Sequence, residues 1–287
     1  MNMFAKVLLS LLATALAPLL LVTWVTYRSS QETLLAVAGD ALEAGAETLA
    51  RSAIVAVDDA AKELGSWSEL EAMQIVFTGE DQNLKLAELL SEQQKRSDFC
   101  EIWCTDTSGK IVASSNYERI DTRVSEREAL WGASKTEPFI GDIVQSALPD
   151  GAPVRVIVMA SPIIAKFDRN TVIGTIVGTY NWDKASERSL RQSTPEAARG
   201  IRIYLADEQG RFVAGQETHE PAPALLEAEF LALTRRASAN GGRAHALSAG
   251  VIDGSRQVLA AVKVRGVLSG MALDGVAIAP EALVLRP

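Results

Sequence analysis

The same hairpin pattern occurs twice in this chain, in copies that begin about 100 residues apart. The sequence EIWCTDTSGKIVAS begins at Glu101, and the sequence IRIYLADEQGRFVAG begins at Ile201. Each copy has an alternating apolar run, an Asp, two residues, a Gly, a basic residue and a second apolar run; such alternation is typical of half-buried strands. Asp106 and Asp207 occupy turn positions, where an Asp side chain can bond nearby backbone. The repeat therefore predicts two related modules.

The residues after the first hairpin predict a helical crossover and three more strands. Glu126–Ser134 reads as a short helix, and Phe139–Val144 as a short strand. Val154–Ile164 and Val172–Trp182 are rich in Val and Ile, which favour strands. Two strands, a crossover and three strands form a PAS-like antiparallel sheet with the crossover on one face. A helical core at Leu225–Arg236 and three strand-like runs follow the second hairpin, so the expected fold class is α+β.

The N-terminal part of the chain contains a long run without charged residues, Val7–Tyr27. A run of about 20 apolar residues can span a bilayer as a helix. Trp24 would then lie near the membrane interface, which favours amphipathic rings. A cleaved signal peptide is the alternative, because small residues occur within the run. Pro18 follows the better cleavage position and the run continues beyond it, so we expect an uncleaved transmembrane anchor.

A long amphipathic helix is predicted over Ser29–Leu64. Leu35, Leu42 and Leu49 belong to an apolar stripe at three- and four-residue steps, and charged residues occupy the opposite side. The stripe can pack on the sheets of its own chain, or it can form the seam of a parallel homodimer near the membrane. Both interpretations hold if the membrane-proximal part of the helix pairs and the distal part packs on the sheets. We expect the chain to form a homodimer.

Charge and motif content exclude several classes of function. The 28 Lys and Arg residues against 36 Asp and Glu residues give a net charge of −8, whereas nucleic-acid binding requires a basic footprint. Cys100 and Cys104 would be about 13 Å apart on one strand at about 3.3 Å per residue, too far for a disulfide, so we expect free, inward-facing thiols. His219 and His245 stand alone in the sequence. No catalytic or nucleotide-binding motif is present, and we expect no enzyme, cofactor or metal site.

Several pieces of the chain together resemble one known family. They are the pattern D-x-x-G-x-hydrophobic-x-A-S from Asp106, the helix-opening Arg127, the pair Gly141-Asp142, a strand ending Ser161-Pro162-Ile163, and a last strand with spaced glycines. In this order, and after an apolar N-terminal run, they resemble the double Cache sensor domain over residues 29–287. Bacterial chemoreceptors, histidine kinases and diguanylate cyclases carry such domains outside the cytoplasm.

The resemblance implies an inner-membrane protein with a single N-terminal span and a sensor domain in the periplasm. It divides the chain into a transmembrane anchor (1–28), a long helix with a helical linker (29–98), a membrane-distal PAS-like module (99–187) and a membrane-proximal PAS-like module (188–287). The sequence contains no kinase, cyclase or methyl-accepting region. We therefore expect the output on a longer chain or on a partner protein.

The resemblance also implies a ligand pocket in the membrane-distal module, between the sheet and the segment Asn116–Thr136. Arg127 matches the arginine that opens the family's crossover helix, and a guanidinium can hold a carboxylate through two parallel hydrogen bonds. The predicted ligand-binding residues are Arg127, Trp131, Asp142, Arg155, Ile157, Met159 and Tyr180. Four of these residues have a structural alternative, since Arg127 and Arg155 could be surface or edge charges, and Trp131 and Tyr180 could belong to the core.

Two departures from the family's amino-acid-binding members change the expected ligand. Those members place aromatic residues two and three positions after the arginine, where this chain has Ala129 and Leu130. They also place an acidic residue on the last strand for the ammonium group, where this chain has Thr179 and Asn181. We therefore expect a small anion or a carboxylate without an amine.

Together these expectations describe a membrane-anchored extracytoplasmic sensor for signal transduction or chemotaxis. The alternative is a ligand-free module that serves structure or dimerisation, or a subunit that signals through a partner protein.

Overall fold

A computed structural model describes residues 3–76, 80–124, 138–147, 151–193, 201–215, 224–239, 241–252, 255–266 and 270–284. Three helices come first: α1 (Met3–Ser68), α2 (Glu71–Val76) and α3 (Glu80–Arg96). The predicted anchor and the predicted long helix thus form one continuous helix of 66 residues. At about 1.5 Å per residue, this helix is about 100 Å long.

Within the part of the chain that the structure describes, no helix combines the length and the apolar character needed to cross a membrane. The side chains of residues 1–13, which include the first third of the predicted span Val7–Tyr27, lie outside the described set.

The first sheet contains five antiparallel strands in the order β2-β1-β5-β4-β3. They are β1 (Phe99–Asp106), β2 (Ile111–Ser114), β3 (Phe139–Ala147), β4 (Pro153–Ala165) and β5 (Asp168–Asn181). A short 3₁₀ helix, Tyr117–Arg119, follows β2, and α4 (Trp182–Ser193) follows β5. The predicted crossover helix Glu126–Ser134 lies outside the described residues.

The second sheet repeats the first. Its order is β7-β6-β10-β9-β8, so the strands occur in the same relative order in both sheets. The elements are β6 (Arg202–Ala206), β7 (Phe212–Gly215), α5 (Ala224–Ala239), β8 (Arg243–Ile252), β9 (Ser255–Arg265), β10 (Ala272–Pro280) and α6 (Glu281–Val284). The prediction of two antiparallel sheets in an α+β fold is confirmed.

The two hairpin turns are built by the same side-chain chemistry. Asp106 Oδ1 accepts hydrogen bonds from the backbone N–H groups of Ser108 and Lys110, at 2.8 and 2.9 Å. Asp207 Oδ1 accepts the two equivalent bonds at 3.0 and 2.9 Å. The glycine three residues after each Asp has a φ of 79° or 78°, which a side chain would strain. The turn role predicted for both Asp residues is therefore observed.

Helix α1 crosses both sheets and contributes to one shared core. A Cβ atom at Gly275 on β10 would lie 2.3 Å from the carbonyl oxygen of Ala46, so the helix backbone rests directly on the second sheet. Further along α1, Leu64 lies against Gly178 on β5 of the first sheet. From its N-terminal end, α1 therefore reaches the second module before the first.

The apolar stripe of α1 packs within its own chain. Leu42 and Leu49 are 4% and 0% exposed and belong to the shared core, and the half-buried Leu35 packs against it. Of the two interpretations of this stripe, packing on the sheets is confirmed. The homodimer seam is wrong for Leu42 and Leu49, because these side chains are already covered.

Candidate ligand-binding site

The first sheet has two faces that pack against different parts of the chain. One face lies against the helices α1, α2 and α3. Its buried side chains include Ile102, Cys104, Ile157, Met159, Ile176 and Tyr180. The other face carries a separate apolar cluster. That cluster contains Trp103, Ile111, Val158, Ala160 and Val177, with Val124 and Phe139 at its margin. Along β1, β4 and β5, residues of this cluster alternate with residues of the face that packs on the helices, because successive side chains of a strand point to opposite faces.

Three predicted site residues lie on the face that packs against α1. Ile157, Met159 and Tyr180 are 0%, 1% and 4% exposed. The Tyr180 ring meets the Phe99 ring edge-on at 5.5 Å between centroids. Burial, followed by the charge of Asp98, raises the pKa of the Tyr180 hydroxyl to about 12. All three side chains thus belong to the core between the sheet and the helices.

Arg155 is held at the edge of the first module. Its Nε atom is 2.7 Å from Asp183 Oδ1, and its backbone N–H donates to Asp183 Oδ2 at 2.8 Å. Asp183 is in the first turn of α4, where a carboxylate interacts favourably with the helix dipole. The Arg155 guanidinium is therefore bound within the chain by a carboxylate.

Two adjoining cavities lie between the modules. Arg155 and Asp183 line a groove of about 390 Å³ together with Asp207 and Arg211 of the second module. Asp142, which is exposed on β3, lines a smaller cavity of about 150 Å³. Asp142 and Arg155 are thus near the module junction, and the structure does not bring them together with Ile157, Met159 and Tyr180. Arg127 and Trp131 lie outside the described residues.

A polar cluster on the opposite face was missed by the sequence reasoning. Arg119 Nη1 is 3.1 Å from Glu101 Oε2, and its guanidinium carbon is 4.5 Å from the centroid of the Trp103 ring. The Ser114 hydroxyl, fully buried, lies 3.5 Å from Glu101 Oε1. This arrangement places a half-buried cation over an indole ring, which is a favourable contact. The sequence of β1 contained the signal for this cluster, because alternation places Glu101 and Trp103 on one face of the strand and Ile102 on the other.

The two repeated sheets along one helix are also found in several solved structures. Similar solved structures include a methyl-accepting chemotaxis protein X, with a TM-score of 0.58, 14% identity, and coverage of 85% of this chain and 98% of that one. The ligand-binding domain of the Pseudomonas fluorescens chemoreceptor CtaA, in complex with L-isoleucine, has a TM-score of 0.56 and 14% identity over 90% of this chain and 97% of its own. The sensor domain of the V. cholerae histidine kinase DctB has a TM-score of 0.55 and 13% identity over 88% and 98%.

These similarities confirm the predicted resemblance to extracytoplasmic sensor domains at the level of the fold. No family model and no curated protein sequence matches the chain. The similar structures are sensor and ligand-binding domains of chemoreceptors and a histidine kinase.

Proposed function

We propose that this chain is the non-enzymatic, ligand-sensing region of a membrane-anchored receptor for signal transduction or chemotaxis. The observation that carries this proposal is the double-module fold shared with sensor domains of chemoreceptors and a histidine kinase. One of those domains is described in complex with an amino acid. The sheet face away from α1 supports a site in the first module, because its apolar cluster carries a polar group at one end.

The proposed ligand is a small anion or carboxylate that binds in the first module with Arg127 as its main charge partner. Arg127 is at the position of the family's arginine, and Ala129 and Leu130 replace the aromatic residues of its amino-acid-binding members. Trp103 on β1 and Arg119 in the short 3₁₀ helix after β2 would contribute to the floor of the site. Arg155 would contribute less, since Asp183 already binds its guanidinium.

A ligand screen on the full chain in detergent tests this proposal. Thermal-shift assays against carboxylates, inorganic anions and amino acids identify hits, and calorimetry measures their affinity. Charge-assisted hydrogen bonds contribute about 1.5–3 kcal/mol each, so Arg127→Ala should weaken binding by roughly ten- to a hundredfold. Arg127→Lys should recover part of the affinity, because a point charge cannot reproduce the planar fork. Arg256→Ala, an exposed change in the second module, is the control.

Two results would contradict the proposed ligand class. One is a best ligand that is cationic or uncharged, and the other is an Arg127→Ala variant that binds the anion as tightly as the parent. If the best ligand is an amino acid, the proposed sensor function stands, but the proposed class of ligand is wrong.

The proposed topology is a single inner-membrane anchor at Val7–Tyr27 with the remainder in the periplasm. The charge-free run supports the anchor, and α1 would then present residues 188–287 nearer the membrane than residues 99–187. The division into 1–28, 29–98 and these two modules is part of the proposal. N-terminal sequencing of the membrane fraction should find the first residues retained. A mature chain that begins near Pro18, or recovery in the soluble periplasm, would contradict the anchor.

A ligand-free dimerisation module is the second candidate function, and one observation favours it. The side of α1 away from the sheets exposes Leu34, Val37, Ala41 and Ala44, with Leu34 and Val37 46% and 62% exposed. Their three- and four-residue spacing matches the seam of a two-stranded coiled coil. Because a sensor can also form a homodimer through this face, dimerisation alone does not distinguish the two functions. Binding of a small molecule does, since the ligand-free module would bind none.

A further inference from the structure

A histidine and two carboxylates from distant parts of the chain meet beside α1. Asp40 and Glu43 are three residues apart on α1, and His245 is on β8, the edge strand of the second sheet. One ligand atom from each side chain lies within 4.8 Å of the other two. His245 Nδ1 is 2.8 Å from Glu43 Oε1. His245 stands alone in the sequence but has a partner in the structure, because the fold brings together two residues that are 202 positions apart.

The local backbone is fitted to this imidazole. A Cβ atom at Gly39 would lie 2.6 Å from His245 Cγ, so only glycine allows the ring to rest on the helix. The Glu43 residue is 9% exposed, whereas Asp40 is exposed and the His245 side chain is 37% exposed. The three ligand atoms thus form a small site with one buried side and one side open to solvent.

Of the two carboxylates at the site, only Glu43 has a partner among the described residues. The next carboxylate on α1, Glu47, is bound by Arg51 and Arg243. Within the described residues, Glu43 pairs with His245 and the Asp40 carboxylate forms no hydrogen bond or ion pair. Like charges one turn apart on a helix repel each other. A cation bound between the two carboxylates would remove that repulsion.

We propose that Asp40, Glu43 and His245 bind a divalent transition-metal ion of the Zn²⁺ class. An imidazole nitrogen with carboxylate oxygens is a ligand set that Zn²⁺ accepts, whereas Ca²⁺ and Mg²⁺ prefer oxygen alone. Three protein ligands leave one tetrahedral position for water on the open side. The bound ion would join α1 to β8 and stabilise their contact, because a ligand of the folded state alone shifts the unfolding equilibrium.

Zinc titration of the full chain in detergent, after removal of metal with a chelator, tests the proposal. Equilibrium dialysis should show one Zn²⁺ per parent chain. Thermal unfolding should show a higher unfolding temperature for the parent chain with Zn²⁺ than without it. Asp40→Asn should weaken binding by about 100-fold or more, since even the loss of an outer-shell partner weakens metal sites by about 10–100-fold. Asp40→Asn should leave the metal-free chain at least as stable as the parent, because the Asp40 carboxylate has no partner among the described residues and its removal relieves the repulsion from Glu43.

His219→Ala is the matched control, because it removes the other of the two histidines. It should retain both the stoichiometry and the temperature shift, whereas His245→Ala should lose them. A Co²⁺-loaded parent should lack a thiolate charge-transfer band, which separates this site from Cys100 and Cys104. The proposal is overturned if the parent binds no Zn²⁺, or if Asp40→Asn and His245→Ala bind it as tightly as the parent. The cluster would then be an ion pair only.

Discussion

Asp274 on β10 is a carboxyl group whose burial changes its protonation. Burial, the largest cause, raises its pKa from 3.8 to about 6; Lys263 acts in the opposite direction, and Glu208 and Asp207 add to the rise. The folded chain therefore binds this proton more tightly than the unfolded chain does. Unfolding releases the proton between about pH 4 and pH 6, so the contribution of Asp274 to stability falls as the pH rises through that window.

Asp274→Asn should therefore stabilise the chain at neutral pH. The amide keeps the shape of the side chain without its buried charge, so the free energy of unfolding should rise by about 1–2 kcal/mol at pH 7.5. At pH 4 the gain should be absent, since the parent carboxyl is then protonated when folded. Urea unfolding at both pH values measures this difference. An equal effect at the two pH values would contradict the role of burial.

The two cysteines should react at very different rates. Cys104 is fully buried, with Sγ 3.7 Å from the Met73 sulfur, and burial raises the pKa of its thiol. Burial also raises the pKa of the half-buried Cys100 thiol, and Lys184 partly opposes the change. Alkylation of the native chain at pH 8, followed by mass spectrometry, should modify Cys100 first and Cys104 only after unfolding. Equal rates, or a disulfide, would contradict this placement.

Among the elements, the strands and hairpins could be predicted because their signals are local. Alternation predicted the strands of both hairpins, and the Asp and Gly residues of each turn marked where the chain reverses. By alternation, Arg155, Ile157 and Met159 fall on one face of β4. Alternation could not tell which face packs on α1, because that contact joins residues that are far apart in the sequence. The same limit hid the contact between Glu43 and His245.

In both hairpins, an Asp side chain stabilises the turn by accepting backbone hydrogen bonds. Asp106→Ala removes the acceptor of two backbone N–H groups, and Asp207→Ala does the same in the second sheet. Each change should lower the free energy of unfolding by about 1–2 kcal/mol. Asp106→Asn should retain most of the stability, since the amide oxygen also accepts. Chemical denaturation measures the three variants, and an Asp106→Asn variant as unstable as Asp106→Ala would contradict the role of the acceptor.

In the whole molecule, one face of α1 is covered by the sheets, and the proposed dimer would pair the exposed face with that of a second copy. Cysteines introduced at Val37 and Ala44 on the exposed face should cross-link in membranes under mild oxidation. Leu42→Cys and Leu49→Cys are matched controls, because these positions are buried against the chain's own core. They should not cross-link. Equal cross-linking at all four positions would contradict a dimer that uses the exposed face.

The proposed sensor function includes a ligand site in the first module, on the face away from α1. Hydrogen–deuterium exchange of the full chain, with and without the tightest ligand from the screen, locates that contact. We expect slower exchange in β1 and in the segment that follows β2, with the strands of the second sheet unchanged. Protection confined to the second module or to the groove between the modules would contradict a ligand site in the first module.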